Sequence, residues 1–240
     1  MNMKASRTCI PYTCRRNQGL PAGFTLLEIL VAIFIFGVVA TTIFGSYRFI
    51  FSTSDAFENG ITIHEAARNC LNRMTADLQS AYVSLPPAYT PPKSGAAADP
   101  YRFSGEIETV GSASFSRLRF ASLAHVALEK NTRQGIAEIV YYVQTGADGM
   151  FILRRSDTLY PYKPFQEQGT DPILCENLKS LKFTYYDNEG DDSNRWDSDS
   201  EDFRYTSPRA VGIQLGLGSG SVSQRFEALV ALPAYRPKAE

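Results

Sequence analysis

The chain has 240 residues, 44% of them hydrophobic and 20% charged, with 24 basic against 25 acidic side chains and a formal net charge of −1. That balance, with no basic stripe and no aromatic-interleaved patch to track phosphates, excludes nucleic acid as the partner. The length, without repeats or low-complexity tracts, suits one globular domain beside a membrane element.

Residues 1–23 carry Lys4, Arg7, Arg15 and Arg16, no acid, and end in the small residue Gly23. An apolar run then extends from Phe24 to Tyr47, with Glu28 as its single charge. It is long enough for the ~20 residues that a bilayer requires. A carboxylate in such a helix costs about 2.5–3.5 kcal/mol on insertion scales, so its presence signals a use. Gly37 and Gly45 would let neighbouring helices approach closely. The basic leader places residues 1–23 in the cytoplasm and everything after about residue 48 outside the inner membrane. An ordinary secretory signal would put its small-residue site after the apolar core, near Gly45-Ser46, and would have no need of Glu28.

The helical pattern continues with no proline until Pro86. We divide it into a membrane or filament-core part, 24–50, and an amphipathic part, 51–85. In the second part Phe57, Ile61, His64, Leu71, Met74 and Leu78 form the buried stripe, while Asp55, Glu58, Glu65, Arg68, Arg73 and Asp77 lie mostly off it. The helix is expected to stop around Leu85. Pro86-Pro87, Pro91-Pro92 and Ser94 to Ala98 make 86–100 a flexible or extended linker. Residues 101–240 read as a β-rich head. Strands are expected over Phe115 to Phe120, and at Ile139 to Val143 and Phe151 to Leu153 as a hairpin around Gly146 to Gly149. Period-two alternation marks further strands through Leu181, Phe183 and Tyr185, then Val211 to Leu217 and Phe226 to Leu232. Pro172 to Asn177 reads as a helical turn leading into the Leu178 strand.

The basic leader, Gly23, Phe24, Glu28 and the long apolar run together resemble the class III signal of type IV pilins and pseudopilins. The leader is long for that class. The resemblance implies that a prepilin peptidase cuts between Gly23 and Phe24 and methylates the new amine on Phe24. Glu28 then takes the fifth-position glutamate's role: the Phe24 amine of one subunit neutralises Glu28 of a neighbour. A buried charge left unpaired costs several kcal/mol, so the pair pins the filament register. The implied fold is α+β and pilin-like, with a long N-terminal helix packed on an antiparallel sheet. Leu178 to Asp187, Gly190, Trp196, Pro208 to Leu215 and the closing Phe226 to Pro233 resemble the J-type minor pseudopilin of the type II secretion system. So does the hairpin carrying Gly149 and Arg154-Arg155. That implies a non-catalytic subunit of the pseudopilus tip, with I-, K- and H-type minor pseudopilins and the major pseudopilin as partners. It would be inner-membrane anchored with its head in the periplasm. K-type subunits lack the fifth-position glutamate that this chain has. The alternatives are a W-type minor pilin that initiates a type IV pilus, and a signal-anchored periplasmic enzyme or sensor.

Removal of the leader would leave 20 basic and 25 acidic residues. Cys9 and Cys14 would go with it, leaving Cys70 and Cys175 as candidates for a disulfide in the oxidising periplasm, or as two buried small hydrophobes. His64 reads as a core or interface histidine, and His125 has no Ser or Cys motif to partner it. No CxxC pair, HExxH, phosphate loop or GxSxG elbow is present. Asp187, Glu189, Asp191, Asp192, Asp197, Asp199, Glu201 and Asp202 crowd one loop. Asp187, Glu189 and Asp191 are its calcium candidates, but with Asp187 as position one the twelfth residue is Ser198, where an EF-hand places Glu. The expectation is therefore a solvated acidic loop, or one docked on a basic neighbour, with no cofactor.

Overall fold

The computed structural model describes residues 23–93, 97–126, 133–219 and 222–238, and within them the side chains outside 48–60, 219 and 222. The leader bases, Cys9 and Cys14 lie outside the described residues, as do the side chains of Asp55, Phe57 and Glu58. The chain divides into two compact units, Met1–Asp55 and Ala56–Glu240. One helix, α1 (Leu26–Gln79), belongs to both.

In the first unit, Thr25 caps α1: its Oγ1 accepts the Glu28 N–H at 3.2 Å. A Thr with Glu three residues on is the sequence form of such a cap. Leu26–Tyr47 is a 22-residue stretch apolar enough to cross a membrane. Its large side chains, such as Leu26, Phe36 and Phe44, project outward. Thr41 and Ser46 return their hydroxyls to the carbonyls of Gly37 and Thr42, each at 2.9 Å. Polar side chains so paired make no unmet demand in hydrocarbon.

In the second unit, the buried positions of α1 are Ala67, Cys70, Met74, Asp77 and Leu78. This corrects the expected stripe, because Ile61 and His64 are exposed and Asp77 is not. His64 instead meets the edge of Phe226, ring centroids 5.1 Å apart. The helix also ends earlier than Leu85. The Asp77 carbonyl accepts the Ser122 hydroxyl at 2.8 Å, and the Ser80 carbonyl accepts the Leu123 N–H at 2.9 Å. Carbonyls of a last turn need such partners. Here they hand the chain directly to a short strand, β1 (Ala81–Tyr82), paired with Ser122 and Ala121.

The remaining strands are β2 (Ser104–Val110), β3 (Ala113–Ser122), β4 (Ala137–Thr145), β5 (Phe151–Leu159), β6 (Ile173–Tyr186), β7 (Asp192–Ser193), β8 (Trp196–Asp197), β9 (Ala210–Ser219) and β10 (Val222–Ala231). They form one antiparallel sheet in the order β10-β9-β6-β5-β4-β3-β2-β8, with β1 on β3 and β7 on β6. The architecture is α+β and pilin-like, as expected. Val211, Ile213, Leu215 and Leu217 all face the core, as their alternation requires. The β4–β5 hairpin turns at Gly149, whose φ of +77° suits glycine. Strand β4 departs from simple alternation and is buried on both faces from Ala137 to Val143. Its second face is covered by residues 160–171: the Tyr142 hydroxyl donates to Asp171 Oδ2 at 2.7 Å, and Phe165 packs edge-on against its ring.

Two further expectations are corrected. Pro172 to Asn177 is not a helical turn, because Ile173 and Cys175 already pair with Arg154 and Leu153 of β5. The irregularity that resembled a turn is a register shift with Asn177 at φ 56°. Of the flexible or extended linker expected here, residues 86–93 and 97–100 are held in place rather than flexible. Tyr89 is buried and hydrogen-bonds Asp199 Oδ1 at 3.1 Å, while the Asp99 N–H donates to Asp199 Oδ2 at 2.7 Å. Arg236 closes this region. Its guanidinium lies 3.4 Å above the Tyr89 ring, meets Asp99 Oδ2 at 3.2 Å and donates to the carbonyls of Ser198 and Tyr205.

Gly105 in β2 is required by its neighbour. A Cβ there would fall 1.9 Å from the hydroxyl oxygen of Tyr185 and 2.2 Å from its ring. Tyr185 is fully buried against Phe103 and Trp196. Gly105→Ala will therefore displace a core ring and cost about 1–3 kcal/mol, the usual range for overpacking. A thermal melt of the purified chain checks this; an unchanged melting temperature would refute it.

Candidate functional site

Two regions carry the chemistry. The first is the start of α1. Gly23 and Phe24 are exposed and precede the first turn, and Glu28 sits three residues beyond the Thr25 cap with its side chain exposed. Its carboxylate has no hydrogen bond or ion pair among the described residues. A charge at the head of an apolar helix is costly to leave unpaired.

The second is a buried charge network that fixes the lower part of α1 to the sheet. Asp77 is completely buried on the helix, and Arg155 of β5 is almost so. Arg155 Nε meets Asp77 Oδ2 at 2.7 Å and its Nη2 meets Oδ1 at 3.2 Å, a two-pronged contact. Arg73, one turn earlier, and the Tyr141 hydroxyl also donate to Asp77. On its other side Arg155 Nη1 reaches Asp157 Oδ2 at 2.6 Å, and Asp157 is joined by His125 Nδ1 at 2.6 Å and the Val126 N–H at 2.9 Å. Burial raises the Tyr141 hydroxyl far above its ordinary range, aided by the Asp77 charge and hydrogen bond. Burial would depress Arg155, but the hydrogen bond and charge of Asp77, then Asp157, more than reverse this.

Burial would likewise raise Asp157. The Val126 N–H, His125 and Arg155 outweigh it and hold the carboxyl below its usual value. A depressed folded-state pKa supplies stability that is complete above the unfolded value, ~3.9, and is lost as pH falls through the folded one. The acid limb of the stability–pH profile will therefore be steeper in the parent chain than in Asp157→Asn. Urea melts between about pH 2 and 5 measure it, and parallel profiles would count against it.

Sequence reasoning missed this network. A signal existed: Ala67, Cys70, Met74 and Asp77 follow one another at steps of three and four, placing the acid on the apolar face. His125, which lacked a partner by motif, has one in Asp157.

The structure brings together two other predicted sets. Cys70 and Cys175 are both buried, unbonded, with their sulfurs 3.5 Å apart. Asp187, Glu189 and Asp191 offer carboxylate oxygens within 4.8 Å of one another. Two of the three are already engaged: Asp187 Oδ1 accepts the N–H groups of Glu189 and Asp191, and Glu189 pairs with Lys238 at 2.5 Å. The rest of the acidic loop does internal work too. Asp197 binds Arg102 at 2.5 Å, Asp199 holds Tyr89 and the Asp99 N–H, and the Asp202 N–H is capped by Ser200.

Comparison with known families covers both regions. The prokaryotic N-terminal methylation motif matches residues 21–44, which contain Gly23, Phe24 and Glu28. The family described as type II secretion system (T2SS), protein J, matches residues 45–229, most of the chain and nearly all of the sheet. No curated protein matches it individually. The family consists of structural secretion-system components, and the methylation motif with the apolar helix marks a membrane-anchored, single-pass protein. The chain belongs to the protein J family of the type II secretion system, the J-type minor pseudopilins.

Proposed function

We propose that this pseudopilin is cut between Gly23 and Phe24 by a prepilin peptidase, methylated on Phe24, and extracted from the inner membrane into a periplasmic pseudopilus. The observation that carries the reading is the junction of a methylation motif, with Glu28 inside it, and a protein J head in one chain. The subunit joins I-, K- and H-type partners at the pseudopilus tip, above the major pseudopilin, and primes assembly for the export of folded proteins. It does so without catalysing a reaction. Its acidic loop takes Lys238 as counter-ion rather than calcium, so EDTA will leave the melting temperature of the purified chain unchanged; a fall would assign the loop a cation.

The test is a pull-down from a native envelope with the full chain as bait. Recovery of I- and K-type pseudopilins supports the tip role. Recovery of type IV pilus minor subunits in their place would overturn it, as would a chain left uncut at Gly23.

A further inference from the structure

Cys70 and Cys175 are the two cysteines that remain once a leader ending at Gly23 is removed. They come from distant parts of the chain and meet inside the head. Cys70 lies on the buried face of α1, and the Sδ of Met74, one turn on, is 4.0 Å from its sulfur. Cys175 lies opposite Leu153, where β6 changes register against β5 and Asn177 adopts a left-handed backbone. A disulfide needs the sulfurs to close to about 2.05 Å. From 3.5 Å the remaining approach is short, and the irregular segment of β6 is where the backbone can supply it. Cys175 also lines a groove with Ile63, Ala66, Ile173 and Leu217, which gives a reagent a route to it. Two buried thiols could serve only as small apolar fillers. Side-by-side sulfurs from helix and sheet, reachable from a groove, do more than that role needs.

We propose that Cys70 and Cys175 form an intramolecular disulfide that staples α1 to the sheet, made by exchange with a disulfide-carrying oxidant of the periplasm. Cys175 is the member of the pair that lines the groove, so it attacks first, from that side. Its sulfur bonds to one oxidant sulfur and expels the other. Cys70 then attacks the Cys175 sulfur of the mixed disulfide and expels the second oxidant sulfur. The two thiol protons end on the departing sulfurs, so the chain is oxidised by two electrons and the oxidant leaves as a dithiol. The inference rests on the periplasmic placement proposed above.

The test uses the full chain, purified in detergent, reduced, and then exposed to glutathione disulfide. The expected product is lighter than the reduced chain by two hydrogens and yields a peptide linking Cys70 to Cys175. It should melt roughly 5–15 °C higher than the reduced chain. Cys70→Ala and Cys175→Ala should each abolish that difference, so neither variant need match the parent's stability. Two glutathione adducts, two alkylatable thiols or a melting temperature insensitive to reduction would overturn the proposal. The periplasmic placement is read separately, by protease access to the head in spheroplasts, so the two failures are distinguishable.

Discussion

Asp77→Ala is expected to destabilise the head by about 3–5 kcal/mol, because it leaves the buried guanidinium of Arg155 without its main counter-charge. That is a large part of the 5–15 kcal/mol by which a domain ordinarily holds together. Chemical denaturation of the purified chain measures it, and a loss below about 1 kcal/mol would show that water or Asp157 compensates. The expected pattern is asymmetric. Replacing Asp77 and Arg155 together by apolar residues, with Tyr141→Phe to remove the orphaned hydroxyl, should restore much of the loss, since desolvating two charges offsets most of their attraction. If the triple variant is as unstable as Asp77→Ala, the network is a net source of stability. If it is stable but no longer docks α1 in one register, the charges were selecting the arrangement.

Glu28→Ala is expected to do the opposite of a stability mutant. It removes a carboxylate from an apolar helix, so membrane insertion becomes easier, by less than the roughly 2.5–3.5 kcal/mol that a charge costs at the centre of a span. Cleavage after Gly23 should proceed as before. Incorporation into the pseudopilus should fall by about 100-fold, because the methylated amine of a neighbour loses a partner worth several kcal/mol at 1.4 kcal/mol per tenfold. Glu28→Gln should fail similarly, since the lost quantity is charge. Fractionating sheared pseudopili from envelopes gives the ratio, and normal incorporation of either variant would defeat the register-pin role.

The elements easiest to read were those whose burial follows a single period. Val211 to Leu217 alternate because one face meets the core, and Leu26–Tyr47 is apolar all round, with its large side chains projecting outward. What could not be read depended on partners far along the sequence. The end of α1 is decided by Ser122 and Leu123, residues distant from Gln79, and no local proline or glycine marks it. Pro86 and Pro91 suggested a loose tether, but Tyr89 and Asp99 are held by Asp199 and Arg236. Asp77 was placed with the solvent-facing charges because acids are rarely buried; its partner Arg155 lies in another strand. The methylation motif was legible from the start, since its match, residues 21–44, lies within one short segment.

The grip of Arg236 has a genetic corollary. Final residues are usually the most expendable part of a domain, and a nonsense codon near the end of a gene is often silent. Here a stop at codon 236 would delete, along with whatever follows, the cation that neutralises Asp99 and Asp199 and roofs Tyr89. Late truncations of this chain should therefore behave as core lesions, while an affinity tag appended after that position leaves the guanidinium in place.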